Sequence, residues 1–413
     1  MSTCFARATT LARYDDVVDV ISLLAGDRAG REEERVRTGS PLQRCVGDEQ
    51  EFLASSWGRC PLVRRGTETG ERFTDLLDLP DVDHLVMSSG IRTPAFRLVQ
   101  NGDPLAPSSY TTTPQIGGAP VSGLADPARV LAAIDDGATL VLQGLHRFWE
   151  PLRRFVRGLE AALGHTCQVN AYFTPPGAQG LKIHSDSHDV FVLQAFGSKR
   201  WEIHGPDGAL DLVLEPGDTL YMPKGTPHAA TAQNVLSGHL TVGILTTSWR
   251  EAITGVVREV LSDEAFDDRL PAGWHVEPTA ARAELLAHLD ELRGRLEKVD
   301  LDAALEQRAD RFWTGRLPLL ARGLLDRTRL AELGDDTVVR RRVGAACQQR
   351  LAPEGLRVFL GDRALTMPSW LGPAVERLAS GVPVRVGDLD LDGQSRHVLV
   401  RRLVREGLLE VDG

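Results

Sequence analysis

Two neighbouring stretches decide the fold of this chain: QVNAYFTPPGAQGLKIHSDSHDVFVLQAFGSKRWEIHGP at residues 168–206 and LEPGDTLYMPKGTPHAA at residues 214–230. Both consist of short apolar and β-branched runs that Pro and Gly interrupt at close intervals. Short strands at such spacing are typical of an all-β barrel or a double-sheet jelly roll. The sequence therefore predicts a mainly β, jelly-roll core in the middle of the chain.

These stretches also contain a pattern of metal ligands, His184, Asp186 and His228. His184 and Asp186 are two positions apart, so a strand would place both side chains on one face. Two imidazoles and a carboxylate form the facial triad that holds Fe(II) in non-haem oxygenases and leaves positions open for a 2-oxo acid and dioxygen. We therefore predict an iron site at these residues. His188 is expected to face solvent, with a position next to the metal ligands as the alternative, and His204 is expected to be structural.

The flanking sequence predicts further elements. FLASSWGRCPLVRR at residues 52–65 indicates a helix followed by a strand, and Phe148–Leu163 has the apolar spacing of an amphipathic helix. Helix-period leucines follow Trp249, and from about Leu351 a strand, two helices and a final strand follow in the order of a winged-helix domain. The predicted domains are a β-core domain with N-terminal helices and strands, a helical and possible dimerisation region, and a winged-helix-like domain, at residues 1–249, 250–350 and 351–413.

Composition narrows the class of protein. The 413 residues carry a net charge of -10, which argues against non-specific nucleic-acid binding. Five scattered cysteines in a chain of this length do not indicate a disulfide framework, so a reducing cytoplasm fits best. The N-terminus does not read as a signal peptide, and no apolar run is long enough to span a membrane. We expect a cytoplasmic protein without membrane contact.

The segments at residues 170–205 and 214–230 resemble the JmjC oxygenases, and within them the ribosomal-oxygenase or cupin-4 branch. SSWGRCPLVRRG at residues 55–66 is similar to a tryptophan-then-proline segment of that branch, and the order of barrel, helical region and winged helix also matches. The resemblance implies a double-stranded β-helix fold. It also implies an Fe(II)- and 2-oxoglutarate-dependent dioxygenase that uses dioxygen to hydroxylate an amino-acid side chain of a protein or peptide, as a homodimer.

The resemblance assigns further site residues. Lys199 falls on the basic residue that pairs with the far carboxylate of 2-oxoglutarate, and Tyr172 falls on a tyrosine that hydrogen-bonds the same carboxylate. Asn170 is expected to point into the same cavity. The chain departs from the family at Gly243, where a serine or similar polar residue is usual, and Thr241 is the nearby polar candidate. The segment between Asp186 and His228 is also short, so the substrate of the relatives is not carried over.

Alternative functions remain open at this stage. A ribosomal-protein side chain such as Arg or His and a peptide natural product are both possible substrates, and demethylation of methyl-lysine is less favoured. A different class is a metal-binding cupin that acts on a small metabolite. A third is a winged-helix regulator of DNA, whose basic helix would use Arg396, His397, Arg401, Arg402 and Arg405. Nearby acidic residues weigh against nucleic acid as a partner.

Overall fold

The computed structural model describes residues 39–178, 182–205 and 208–412. Its helices are α1 (Pro41–Val46), α2 (Glu49–Ser55), α3 (Gly66–Thr69), α4 (Leu79–Met87), α5 (Pro127–Asp135), α6 (Glu150–Leu163), α7 (Trp249–Val260), α8 (Arg282–Leu296), α9 (Leu301–Thr314), α10 (Gly323–Arg329), α11 (Gly372–Ala379) and α12 (Gly393–Arg405).

The strands of the first two thirds of the chain are β1 (Leu62–Arg64), β2 (Phe96–Gln100), β3 (Asp103–Pro104), β4 (Thr111–Thr112), β5 (Gln115–Ile116), β6 (Ala119–Pro120), β7 (Leu124–Ala125), β8 (Thr139–Leu142), β9 (Thr166–Thr174), β10 (His184–Ser185), β11 (Asp189–Phe196), β12 (Lys199–Gly205), β13 (Gly208–Leu214), β14 (Thr219–Met222), β15 (Pro227–Ala232) and β16 (Ser237–Leu245). The remaining strands are β17 (Val338–Arg341), β18 (Gln348–Ala352), β19 (Gly355–Phe359), β20 (Ala364–Met367), β21 (Val384–Arg385) and β22 (Leu409–Val411).

Two antiparallel sheets form the core of the molecule. The larger has eight strands in the order β1-β14-β11-β16-β9-β8-β2-β3, and the smaller has four in the order β10-β15-β12-β13. Apolar side chains of both sheets, among them Val192, Trp201 and Leu220, pack into one buried cluster. This two-sheet arrangement is the double-stranded β-helix, so the predicted jelly-roll core is confirmed.

The residue pattern explains why the segments adopt these strands. In β12 the buried residues Lys199, Trp201 and Ile203 alternate with the exposed residues Arg200 and Glu202, because successive strand side chains point to opposite faces. Strand β11 is buried along almost its whole length, since both of its faces are covered by other parts of the core.

The outer face of the large sheet is covered by helices. Helix α6 begins at Glu150, two residues later than the apolar spacing predicts, with Pro151 in its first turn. It ends at Leu163 and is capped by Gly164, whose φ of 69° is the left-handed conformation that glycine tolerates at a helix terminus. Leu152, Val156 and other side chains of α6 pack against β9 residues in the main hydrophobic core.

The segment after the barrel is helical only in part. Helices α7, α8 and α9 bury no residue completely. The stretch expected to be helical, residues 250–350, contains strand β17 and the start of β18. The sequence VVRR of β17 alternates a buried valine with more exposed neighbours and pairs with β22, which explains why strand pairing replaces the helix there.

The last part of the chain has its own hydrophobic core. The predicted strand at LRVFL is β19, the two predicted helices are α11 and α12, and the predicted final strand is β22. The core includes Leu330, Leu333 and Val339 as well as residues of α11 and α12, so it draws on sequence that precedes the predicted boundary at residue 351. The division into three domains and the winged-helix likeness stay predictions.

Two further observations bear on the class of protein. Among the described helices, none has the length and the apolar character needed to cross a bilayer. Cys45, Cys60, Cys167 and Cys347, the cysteines within the described residues, all carry free thiols, as expected without a disulfide framework.

Candidate metal and co-substrate site

The three predicted metal ligands lie together on the smaller sheet. Strands β10 and β15 pair so that His184 lies opposite His228. The potential ligand atoms of His184, Asp186 and His228 all lie within 4.8 Å of one another. Asp186 Oδ1 is 3.9 Å from His184 Nε2, and Asp186 Oδ2 is 3.7 Å from His228 Nε2. The geometry therefore assembles two imidazoles and one carboxylate around a single point.

Backbone hydrogen bonds orient both imidazoles. His184 Nδ1 lies 2.8 Å from the carbonyl oxygen of Lys182, and His228 Nδ1 lies 2.9 Å from that of Thr226. A proton on Nδ1 satisfies each carbonyl and leaves Nε2 with its lone pair free. Such hydrogen bonds fix the tautomer and ring orientation of metal-binding histidines, so both rings present Nε2 towards Asp186.

Asp186 reaches the site by a different route from the one predicted. Strand β10 ends at Ser185, so Asp186 lies just past the strand, and strand alternation does not place its side chain. Its carbonyl oxygen instead accepts a hydrogen bond of 2.9 Å from the backbone N–H of Gly225. The Asp189 carboxylate forms a second connection between these segments. It accepts hydrogen bonds from the backbone N–H of Lys224 and from the Tyr221 hydroxyl. These bonds join the ligand-bearing segment to the turn before β15.

The donor set fits a divalent metal ion. Burial lowers the pKa of His228, which favours the neutral imidazole that binds metals. Within the part of the chain that the structure describes, the ion contacts of Asp186 are those with His184 and His228. A carboxylate between two imidazoles is a ligand set that Fe(II) accepts.

Lys199 is a buried cation in the same cavity. Its side chain is 2% exposed, and its ammonium group donates a 3.0 Å hydrogen bond to Thr174 Oγ1. No described acidic residue forms an ion pair with it, and burial lowers the pKa of Lys199 to about 7. A buried ammonium without a counter-ion is costly, so this end of the cavity suits an anionic ligand.

The other predicted co-substrate residues lie on the large sheet beside Lys199. The Tyr172 ring stacks on the His239 ring with a centroid separation of 5.0 Å, and burial raises the pKa of Tyr172. Asn170 Oδ1 accepts a hydrogen bond from the backbone N–H of Gly144, and Asn170 lies opposite Thr241 in the sheet. Tyr172, Asn170 and Thr241 therefore share one face of two neighbouring strands.

One cavity of about 220 Å³ contains all of these residues. The metal ligands, Lys199, Tyr172, Asn170 and Thr241 all line it. Sequence reasoning missed other residues in its wall, among them Arg97, Gln168, Trp201 and His239. His239 is buried, burial lowers its pKa well below the usual range, and its Nδ1 has no hydrogen-bond partner among the described residues.

The expectation that His188 faces solvent is wrong. His188 lines the cavity, with its Nδ1 3.2 Å from the carbonyl oxygen of Asp189. Its ring lies over Gly243, where a Cβ atom would come within 2.7 Å of His188 Cε1. The absence of a side chain at Gly243 therefore leaves room for the His188 ring, and the imidazole replaces a polar side chain at this wall.

The fold and the site together define a class of protein, a double-stranded β-helix with a His-Asp-His metal centre and a buried cation in one cavity. The sequence model of the JmjC domain matches residues 147–252. This part of the chain is therefore similar to the JmjC domain.

Known proteins with similar sequences include ribosomal oxygenases and proteins named bifunctional lysine-specific demethylase and histidyl-hydroxylase. Ribosomal oxygenase 1 of Gallus gallus is 28% identical over 331 residues, which cover 70% of this chain and 53% of that protein. Ribosomal oxygenase 2 of Rattus norvegicus is 34% identical over 151 residues, which cover 32% of each protein. The chain thus spans about half the length of the first of these relatives or less.

A solved structure has a similar fold over most of the chain. It is that of YcfD, a ribosomal oxygenase from Escherichia coli, in complex with cobalt and 2-oxoglutarate. The two proteins are 21% identical, the TM-score is 0.53, and the match covers 88% of this chain and 98% of the other. This likeness supports the double-stranded β-helix fold with its added helices.

Proposed function

We propose that this protein is an Fe(II)- and 2-oxoglutarate-dependent dioxygenase that hydroxylates an amino-acid side chain of a protein or peptide in the cytoplasm. One observation supports the proposal above all. A three-ligand metal centre lies in the same cavity as a buried lysine that has no acidic partner among the described residues. 2-Oxoglutarate has a 2-oxo acid at one end and a carboxylate at the other. The cavity offers a partner for each end.

The residues that line the cavity would have separate roles in binding the iron and the co-substrate. His184, Asp186 and His228 would hold the iron from one side, which leaves open positions for the 2-oxo acid and for dioxygen. Lys199, with the Tyr172 hydroxyl, would bind the far carboxylate, and Asn170 and Thr241 would line the space between. The iron, when bound, supplies the oxidation of a C–H bond coupled to conversion of 2-oxoglutarate to succinate and carbon dioxide. The protein contributes geometry and exclusion of water.

The relatives support the same activity and a protein substrate. The Gallus gallus and Rattus norvegicus proteins are named ribosomal oxygenases, and the Escherichia coli protein of similar fold was crystallised with cobalt and 2-oxoglutarate. A ribosomal protein or a peptide natural product is therefore the substrate class we propose.

The two rival functions receive less support. A cupin that acts on a metabolite gives no reason for a buried lysine at the far end of the metal cavity. A DNA-binding regulator would need free cations on α12, but Arg396 and His397 pair with Asp335, and Arg402 pairs with Glu406. The winged-helix-like part more readily serves structure or partner contacts.

The direct test uses the full chain loaded with Fe(II). Purified protein should convert 2-oxoglutarate to succinate in a reaction that needs iron and dioxygen. Incubated ribosomal proteins or peptides should gain one oxygen atom in mass spectra only when 2-oxoglutarate is present. The proposal would be rejected if no succinate formed with any of the candidate substrates and none formed in their absence.

The affinity for 2-oxoglutarate should depend on pH through Lys199. The pKa of Lys199 in the empty cavity is about 7, far below the usual value for lysine, and the protonated form binds the carboxylate. Affinity should be nearly constant below that pKa and fall above it, by up to about tenfold per pH unit. Titration of the Mn(II)-loaded protein with 2-oxoglutarate between about pH 7 and about pH 9 measures this dependence.

The matched control for the pH dependence is Lys199→Met, which has no titrating group at this position. In this variant the dependence should largely vanish, while any contribution from the metal ligands remains. An affinity that is flat in the unmodified protein, or that keeps the same slope in the variant, contradicts the assignment of Lys199.

We also propose a homodimer formed through helices α7, α8 and α9. Trp249, Ile253, Leu285, Leu289 and Leu301 of these helices are between 50% and 79% exposed. In the predicted leucine stripe, Leu285, Leu286 and Leu289 are exposed, whereas Leu292 and Leu296 are partly buried. A large apolar patch on a soluble surface marks an interaction site, and a two-fold pair would cover it with its own copy.

The dimer is tested with the double substitution Leu285→Glu and Leu289→Glu. Loss of apolar burial on both subunits should weaken self-association at least about 100-fold, which light scattering would detect as a shift to monomer with metal binding intact. Leu324→Glu on α10, also exposed, is the control that should leave the dimer unchanged. A wild-type protein that is monomeric at micromolar concentration refutes the dimer.

A further inference from the structure

The cavity contains a second cation, Arg97, on strand β2. Arg97 is half-buried and lines the cavity. Its side chain hydrogen-bonds to Tyr172. Its Nε atom is buried and has no hydrogen-bond partner among the described residues. The guanidinium of this cavity-lining residue therefore has an unused donor, the Nε N–H group.

Sheet order places Arg97 apart from Lys199. Along one row of the large sheet, His239 lies opposite Tyr172, Tyr172 opposite Val141, and Val141 opposite Arg97. Lys199 instead contacts Thr174, two residues along β9 from Tyr172. At a strand spacing of about 4.8 Å, the backbone of Arg97 is roughly 10 Å from that of Tyr172. The two cations thus approach the cavity from different sides.

Strand β2 also lies close to the metal-bearing segment. The β2–β3 turn contacts the residues just before β10, because Lys182 forms an ion pair of 3.0 Å with Asp103. A Cβ atom at Gly102 would lie 2.6 Å from Lys182, so the two segments pack closely. Lys182 is two positions before the metal ligand His184. The strand that carries Arg97 therefore ends in a turn that contacts the segment just before the metal ligand His184.

When iron and 2-oxoglutarate are bound, the negative charges in the cavity do not balance the charge of Arg97. On the proposed function, the divalent iron and Lys199 bring three positive charges into the cavity. Asp186 and the two carboxylates of 2-oxoglutarate neutralise these three, and Asp186 is the acidic residue among the described residues that line the cavity. The charge of Arg97 remains. A partly buried guanidinium with free donors is most stable opposite a carboxylate, which it binds in a bidentate manner.

We propose that Arg97 binds a carboxylate of the substrate, so that the preferred substrates are peptides with an acidic side chain or a free C-terminus at or next to the hydroxylated residue. This proposal rests on the proposed function, because the charge balance assumes bound iron and 2-oxoglutarate. It assigns to Arg97 a specificity-determining contact with substrate, distinct from the contact of Lys199 with co-substrate.

The test compares peptide binding before any oxidation takes place. Full-length protein loaded with Mn(II) and 2-oxoglutarate, without oxygen, is mixed with equimolar synthetic peptide pools of one length. The pools have Glu, Gln or Lys fixed at the centre, each with a free or an amidated C-terminus. Retained peptides are quantified by mass spectrometry. We expect at least about tenfold enrichment of Glu over Gln peptides, or of free-acid over amidated peptides. The first result would identify a side-chain carboxylate as the group that Arg97 binds, and the second would identify the C-terminal carboxylate.

Variants assign the preference to Arg97. Arg97→Gln should remove the enrichment while the affinity for 2-oxoglutarate stays within about twofold of wild type. Arg97→Lys should restore part of the enrichment, and Arg97→Glu should favour the Lys pool. Arg200→Gln, at an exposed arginine paired with Asp211, is the matched control and should bind as wild type does. The affinity for 2-oxoglutarate also shows whether each variant is folded.

Two outcomes overturn the proposal. One is that the wild type retains Glu and Gln peptides equally and also retains free-acid and amidated peptides equally. The other is an Arg97→Gln variant that weakens 2-oxoglutarate binding as much as Lys199→Met, which would assign Arg97 to the co-substrate. Admission of Fe(II) and oxygen then tests the proposed function separately: acidic peptides that are retained but never oxidised reject the oxygenase and leave the Arg97 contact standing.

Discussion

Replacement of Asp186 by alanine is expected to abolish conversion of 2-oxoglutarate and to weaken divalent-metal binding at least about 100-fold. Asp186 supplies the carboxylate ligand between two imidazoles, with its oxygens 3.9 Å and 3.7 Å from their Nε2 atoms. No other acidic residue lines the described part of the cavity, so no neighbour can take its place. Titration with Mn(II) and a succinate assay measure the two losses.

Substitution of His184 or His228 should have a similar effect on metal binding and turnover. His204→Ala is the matched control, because His204 is an exposed histidine at the end of β12 and lines no part of the cavity. The Asp186 and His184 variants should unfold at nearly the wild-type temperature, since both residues are only partly buried and lie outside the hydrophobic clusters. Full activity in His184→Ala would show that the triad assignment is wrong.

The sequence predicts the barrel well because its signals are local. The alternation in KRWEIHG and the turn residues around EPGD depend only on neighbouring positions, and the structure has strands at the expected places. The approach of His184 to His228 was also predictable, since the PGD turn was expected to return the chain to a neighbouring strand, and β10 and β15 pair directly. Lys199 and Tyr172 followed from family resemblance, because a lysine or tyrosine on a strand has no distinctive local pattern.

Arg97 and His188 could not be assigned from sequence for a physical reason. Arg97 comes to Tyr172 only through the strand order β9-β8-β2, and a chain segment broken by Pro and Gly does not predict that order. The direction of His188 depends on the space above Gly243, which exists only after β11 and β16 have paired. The end of the helical region could not be predicted from the sequence for a similar reason. Residues of β17 form a strand because they pair with β21 and β22.

Replacement of Lys199 by methionine is expected to raise the concentration of 2-oxoglutarate required for half-maximal turnover by roughly 30-fold to several thousand-fold. That range corresponds to loss of a charge-assisted pair in a partly dry pocket, about 2–5 kcal/mol. Methionine keeps an unbranched side chain of similar length, so the packing near Thr174 should survive. Tyr172→Phe removes one hydrogen bond to the same carboxylate and should act in the same direction with a smaller effect.

The fold itself should not suffer from the loss of Lys199. The lysine is 2% exposed and has no described acidic partner, and burial lowers its pKa to about 7, which means that its charged form destabilises the empty protein. Lys199→Met should therefore melt at or above the wild-type temperature at neutral pH and bind Mn(II) normally, whereas Lys298→Ala at an exposed lysine should change neither property. A metal-competent Lys199→Met protein with an unchanged requirement for 2-oxoglutarate would remove Lys199 from the site. The far carboxylate would then need another cation, and among the described lining residues that cation is Arg97.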